Sequence, residues 1–397
     1  MWIAVSRIAA GIVIGHAVVA LFPQALQHTR LGTLSNGTWL EVFDRWDARY
    51  YTTIAAHGYP AHAPDVQAFF PGYPLVVRAA HDLTGGALTY AQTASLVSFA
   101  AFVGSAGLLY RLVARRFDTQ AALVSTVLFC WFPTSVFFLA PYSEALFALE
   151  ILIVATLLDR GWWWWAALVA GYASATSPES VALTGALVVA ALFARRGFRR
   201  TIGYGLVGSF GAAAFVLYLG IRFGKPLAFF DALPTFHRMA VAPFAGVVEN
   251  VGSIDHALHQ VGATDANLRP FADNIIWMWL VDDAAVVLAV GALVTLLVMA
   301  IKEPRVSKAP GGRQVPVAWI AVLAGIVILA STTIVRTPGG PASTEAAARL
   351  VGVAFPLSVG SYLMVRRWPA PVIIGLGLSI TAAVLTQIMF NLGYWVT

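Results

Sequence analysis

Apolar stretches of membrane-crossing length recur along nearly the whole chain. They fall at 2–22, 90–110, 119–140, 143–158, 162–176, 178–194, 201–221, 279–301, 315–335, 346–364 and 370–393. A helix needs ~20 apolar residues, each rising ~1.5 Å, to span a bilayer. No water in the hydrocarbon satisfies backbone N–H and C=O groups, so spanning segments of this kind must be helices. The pattern predicts an all-α fold, a polytopic membrane helical bundle of about 11 transmembrane helices in one integral-membrane domain over residues 1–397. Residues 2–22 read as an uncleaved first span, because Arg7 is the lone early charge and no A-x-A pattern follows. Residues 69–83 are apolar but short and carry Pro71, Pro74 and Arg78. They read as re-entrant or interfacial, with a twelfth crossing left open.

Composition agrees. The 397 residues are 59% hydrophobic and 11% charged, against about a quarter charged in soluble domains. The net charge of +6 could suggest nucleic acid as a partner, but the basic residues sit in short clusters between spans. Arg111, Arg115 and Arg116, then Arg160, then Arg195, Arg196, Arg199 and Arg200, then Lys302, Arg305, Lys308 and Arg313, then Arg366 and Arg367 all fall on alternate loops. By the positive-inside rule those loops and the N-terminus are cytoplasmic, and no nucleic-acid binding is expected. The single cysteine, Cys130, leaves no disulfide framework and no thiolate metal site. High Ala, Val, Gly and Arg usage points to a GC-rich genome and a bacterial plasma membrane.

The opposite, external face collects the unusual polar sequences. These are RWDARYY and FFPGYP in the loop 23–89, PYSE from Pro141, ATSPES from Ala175, and the run from Arg336 to Arg349. Acids, aromatics and arginines drawn to one side of a membrane predict a cavity at the outer interface. A second external loop, 222–278, is rich in Phe and Trp and should contribute interfacial helices. Loop 304–312 reads as a flexible cytoplasmic connector.

Asp47, flanked by Trp46, Tyr50 and Tyr51, is placed for partial desolvation, which suits a carboxylate to accept a proton. An Asp there could equally cap a following helix. Asp44 would share its face if the stretch were helical, but no third ligand of metal spacing accompanies the pair, so no metal is expected. FFPGYP, with Tyr73, is either an aromatic ledge for sugar or lipid or a turn shaped by its prolines. His57 is either a site residue or a packed loop residue. Glu144 suits a helix N-terminus. Glu150 lies within LFALEILIV and needs a partner that the sequence does not name. Arg349 and Arg336 could grip a lipid phosphate or snorkel to headgroups.

RWDARYYTTIAAHGY followed by AFFPGYPLVV, and then FPTSVFFLAPYSEALFALEILIVATLLDRG, resembles the PIG-V family, the second mannosyltransferase of GPI-anchor assembly, and its bacterial relatives. The likeness covers roughly residues 40–185. It implies a GT-C-like glycosyltransferase that uses a polyprenyl-phosphate mannose donor and no cofactor, with a glycolipid or lipid-linked acceptor and membrane lipids as partners. It also implies that Asp47 is the catalytic base. Asp44, Arg45, Trp46, Arg49, Tyr50, His57, Tyr73, Tyr142, Glu144, Arg336 and Arg349 are the candidate substrate-binding residues. Where the family carries an arginine in an R-S-N-G-like run, this chain has Ser177, Pro178, Glu179 and Ser180. That change removes a cation and adds an acid. A lipid-linked sugar flippase and a catalytically silent partner subunit stand as alternatives.

Overall fold

In a computed structural model the described residues are 1–22, 40–236, 238–249, 269–302, 316–336, 342–343 and 346–394. The expected connector 304–312 and parts of the loops 23–89 and 222–278, namely 23–39 and 250–268, lie outside them. The sequence condenses into helices at nearly every apolar stretch, as expected for an all-α bundle. Four of the described helices are long and apolar enough to cross a membrane, or five if one bent pair counts as a single span.

Helix α1 spans Trp2–Leu21. The loop 23–89 then supplies two short helices, α2 (Ala48–His57) and α3 (Gly72–Leu83). At 12 residues α3 is shorter than a membrane crossing requires. Helix α4, Tyr90–Arg116, opens on a capping box in which Thr89 and Gln92 satisfy each other's backbone N–H groups. Asp118 caps α5 (Thr119–Cys130), and Pro133 stops the helical path there, so the expected span 119–140 continues as a 3-10 turn at Ser135–Phe138. Helices α6 (Glu144–Asp159), α7 (Trp163–Thr176) and α8 (Ser180–Phe193) follow.

The expected single span 201–221 is two helices, α9 (Phe198–Gly208) and α10 (Phe210–Phe223), bent by 48°. The cause is close packing on α7. The Ala212 N–H donates to Ser174 Oγ at 2.9 Å, and a Cβ on Gly211 would lie 2.4 Å from the Gly171 carbonyl oxygen. After a short α11, Ala228–Asp231, come α12 (Arg269–Lys302) and α13 (Val317–Ser331). The span expected at 346–364 divides into α14 (Ala347–Gly352) and α15 (Phe355–Val365), because Pro356 starts a new helix. Helix α16, Pro369–Asn391, ends the described bundle.

A small antiparallel sheet interrupts the all-α plan. Strand β1 (Arg238–Ala240) pairs with β2 (Thr333–Arg336), placing Met239 opposite Ile334, and β2 pairs with β3 (Ala342–Ser343). The loop 222–278 therefore delivers a strand as well as the short helix α11. Its Phe236 and Phe229 pack against Tyr50, Phe69 and Phe70 of the first loop, with ring centroids 5.4–5.9 Å apart.

One feature of the core sets the height of the first loop. Gly11 and Gly15 leave a groove on α1, and Gln387 and Asn391, one turn apart on α16, lie over it. Asn391 Nδ2 donates to the Val42 carbonyl at 2.6 Å, while Gln387 joins Asn391 to the buried guanidinium of Arg7. A chain of buried hydrogen bonds thus runs from α1 to the backbone just ahead of Asp44.

Candidate active site

Trp46 is where the site begins. It holds φ at 54°, a left-handed conformation that is rare for a bulky side chain. Tyr142 explains it. Its buried hydroxyl donates to the Arg45 carbonyl and accepts from the Asp47 N–H, both at 3.0 Å, and so clasps the two ends of the Trp46 turn. The turn separates Asp44 from α2, so the expected shared helical face of Asp44 and Asp47 does not form.

Asp47 occupies the N-cap position of α2, yet its side chain makes no capping hydrogen bond. Instead, Oδ2 lies 3.3 Å from Arg349 Nη1. The same guanidinium donates through Nε to Glu144 Oε1, and it sits 4.9 Å from the ring centroids of both Phe137 and Tyr142. Side-chain exposure falls to 9% for Arg349 and 8% for Glu144, whereas Asp47 keeps 13%. Two carboxylates share one buried cation, and Asp47 is the more exposed of the two.

Three residues outside the expected site set, Asp282, Thr134 and Tyr51, support this trio. Asp282 on α12 is fully buried and its Oδ1 accepts the Ala348 N–H at 2.7 Å, while Thr134 Oγ1 donates to the Ala348 carbonyl at 3.2 Å. Arg349 is thereby positioned through the backbone of the residue before it. Adjacent acids at 282 and 283 in an apolar helix were the available signal, since intramembrane acids mark special sites. Tyr51 is the other case. It hydrogen bonds Ser143 at 2.9 Å, and burial, reinforced by Glu144, pushes its phenol well above the ordinary value and keeps it neutral.

The remaining candidates divide. Arg45 is buried, 6% exposed, and its Nε and Nη2 have no hydrogen-bond partner among the described residues. Burial lowers its pKa, with nearby Asp44 opposing; burial likewise raises that of Asp44, with Arg45 opposing. Tyr50 stacks on Phe69 at 4.5 Å, and exposed Arg49 lies over the Tyr50 ring.

Three expectations need correction. Tyr73 is no ledge: it is fully buried and its hydroxyl is spent on the Ala94 carbonyl and Ser98 of α4. His57 is exposed at the far end of ten-residue α2, about 15 Å along the helix from Asp47. Arg349, expected to face a lipid phosphate or headgroups, is committed to two acids. Arg336 ends β2, and its side chain lies outside the described residues.

FFPGYP is shaped by packing. A Cβ on Gly72 would lie 2.5 Å from Thr176 Oγ1, and Tyr172 donates to the Gly72 carbonyl at 2.7 Å. Thr176 also donates to Glu150 Oε1 at 2.9 Å, the partner that the sequence could not name. At the departure from the family pattern, Ser177 donates to Glu179. Among the described residues no group of three or more His, Cys, Asp or Glu side chains could hold a metal ion.

Comparison with known proteins follows this geometry. Residues 16–199 match the family model Mannosyltransferase (PIG-V). GPI mannosyltransferase 2 of Drosophila pseudoobscura pseudoobscura is 36% identical over 111 residues, 26% of this chain and 24% of that protein. GPI alpha-1,6-mannosyltransferase 2 of Homo sapiens is 31% identical over 154 residues, 36% of this chain and 30% of that protein. The chain spans less than a third of the length of these curated relatives. Among solved structures, ArnT from Cupriavidus metallidurans bound to undecaprenyl phosphate aligns over 98% of this chain and 77% of its own, with 16% identity and TM-score 0.41. The Archaeoglobus fulgidus oligosaccharyltransferase aligns over 98% and 53%, with 13% identity and TM-score 0.47. The resemblance to PIG-V read from the W-D, F-F-P-G-Y-P and Y-S-E-A-L motifs is borne out over the N-terminal half, where Asp47, Tyr142 and Glu144 lie.

Proposed function

We propose that this chain is an inverting GT-C mannosyltransferase. It moves mannose from a polyprenyl-phosphate donor to a glycolipid or lipid-linked acceptor on the non-cytoplasmic face of the membrane. The observation that carries the reading is the use made of Asp47. It is released from capping, held by the Arg349 that Glu144 also engages, and is the most accessible of the three. Glu144 takes a share of the same cation, and Asp47 serves as the proton acceptor.

The acceptor hydroxyl gives its proton to Asp47 as its oxygen attacks the anomeric carbon. The bond from that carbon to the donor phosphate breaks on the opposite side, and the polyprenyl phosphate leaves with the electron pair. A β-linked donor then yields an α-mannoside. Arg45 would receive the leaving phosphate: its buried Nε and Nη2 have no hydrogen-bond partner among the described residues, and a phosphate would satisfy both. Arg349 positions the base.

General-base assistance is worth ~10²–10⁴-fold, so Asp47→Asn should lower transfer by that factor while the protein remains folded. The assay follows radiolabelled mannose from polyprenyl-phosphate mannose into glycolipid, using membranes from expressing and deleted cells. Near-normal turnover by the Asn variant would rule out the role. Movement of the sugar lipid without bond change would select the flippase instead.

A further inference from the structure

The end of the bundle remote from Asp47 has a chemistry of its own. Helix α6 starts at Glu144 and its sixteen residues carry the chain about 24 Å away. Helix α7 begins there and α8 returns there, so Trp162–Trp165 and the basic run Arg195–Arg200 meet at that end. Between them lies a cavity of about 460 Å³ lined by Gly161, the four tryptophans, Arg196, Arg200 and Tyr204.

This cavity is more organised than a generic aromatic belt. Tyr204 is 1% exposed, stacks on Trp163 at 5.8 Å and meets Trp164 edge-on at 4.7 Å. Trp164 lies so close to α9 that a Cβ on Gly203 would come within 2.8 Å of its ring. The Arg196 guanidinium sits 5.0 Å from the Trp163 centroid, and its buried Nε has no hydrogen-bond partner among the described residues. Two guanidinium groups and no carboxylate line the cavity. Trp163 also forms one wall of a second slot of about 270 Å³, where Ala155, Leu158, Phe193 and Trp319 contribute an apolar lining and the ion-paired Arg116 and Asp159 a polar edge.

We propose that this end binds an anionic glycerophospholipid of the bilayer. Its phosphate rests on Arg196 and Arg200 against the tryptophans, and an acyl chain enters the slot beyond Trp163. Charge selects an anion, and the amphipathic walls select a lipid. The distance from Asp47 separates this site from the transfer reaction, since a sugar carrier held here could not present its sugar to that carboxylate. Binding would clamp α7 to α9, and α7 carries at its other end the Thr176 that supports Glu150 and Gly72.

The test is native mass spectrometry of the full chain in detergent with phosphatidylglycerol or phosphatidylcholine of identical acyl chains. Roughly thirtyfold preference for phosphatidylglycerol is expected, as ~1 kcal/mol from each of two arginines facing an anionic headgroup implies. Arg196→Gln with Arg200→Gln should abolish the preference, and Arg196→Lys with Arg200→Lys should keep most of it. Should the glutamine pair fail to fold, brominated phosphatidylglycerol must quench wild-type tryptophan fluorescence in vesicles more than brominated phosphatidylcholine does. Equal retention of the two lipids, equal quenching, or a preference that survives in the glutamine pair would overturn the proposal. Arginine-dependent displacement by equimolar polyprenyl phosphate would overturn it too, by identifying the carrier as the occupant.

Discussion

Tyr142→Phe removes a single oxygen from the centre of the site and leaves the rest of the side chain in place. The ring that packs on Phe137 and lies under Arg349 stays; the hydroxyl that joins the Arg45 carbonyl to the Asp47 N–H goes. Each such bond contributes ~0.5–1.5 kcal/mol net, and a buried group left unpaired costs ~1–3 kcal/mol. The two bonds together contribute about 1–3 kcal/mol at the turn. The left-handed Trp46 stores strain of order 1–3 kcal/mol that the clasp now restrains. Removing the clasp leaves about 1–3 kcal/mol of strain unopposed, so the turn keeps its native form in only about one molecule in five to one in 150. Transfer should fall by about five- to 150-fold by the same conversion. Trypsin should also cut at Arg49 faster, a readout independent of catalysis, as the start of α2 loosens. A Phe variant with wild-type transfer and an unchanged cleavage rate would refute the role given to the hydroxyl.

Other outcomes follow from the same contacts. Arg349→Met strands two buried carboxylates and should cost ~3–5 kcal/mol, seen as a lower Tm in detergent, with part of the loss recovered by adding Glu144→Gln. Gly72→Ala places a methyl 2.5 Å from Thr176 Oγ1 and 2.8 Å from the Ala175 backbone, an overpacking of about 1–3 kcal/mol that should displace the FFPGYP turn and lower both Tm and transfer. Asp44 carries a pH signature. Burial raises its folded pKa, so the folded protein binds that proton more tightly than the unfolded chain does. The ionised group thus weakens the fold increasingly as pH climbs from ~3.9 towards the raised value, and constantly above it. Asp44→Asn should gain Tm relative to wild type across that window; a pH-independent difference would contradict the assignment.

The sequence alone determined the solvent and hence the class of fold. A chain of apolar stretches of bilayer length must hydrogen bond its own backbone, and helices do that within one segment. Local chemistry also carried the helix ends at Thr89 and Asp118 and the turn at Pro71, since these depend on residues a few positions apart. The W-D and Y-S-E segments were legible as candidates because they are charged and aromatic in apolar surroundings. What they do to each other was not legible. Residues 47, 142, 144 and 349 are joined only by tertiary packing, across as many as 302 positions of sequence. That packing decided that Tyr142 makes the turn, that Asp47 is bound to Arg349 instead of capping α2, and that Tyr73 is spent on α4. The bend at Ser209 and the sheet between the external loops belong to the same category. Each is set by one element closing on another, where the free energy of a buried contact overrides the preference of the local chain.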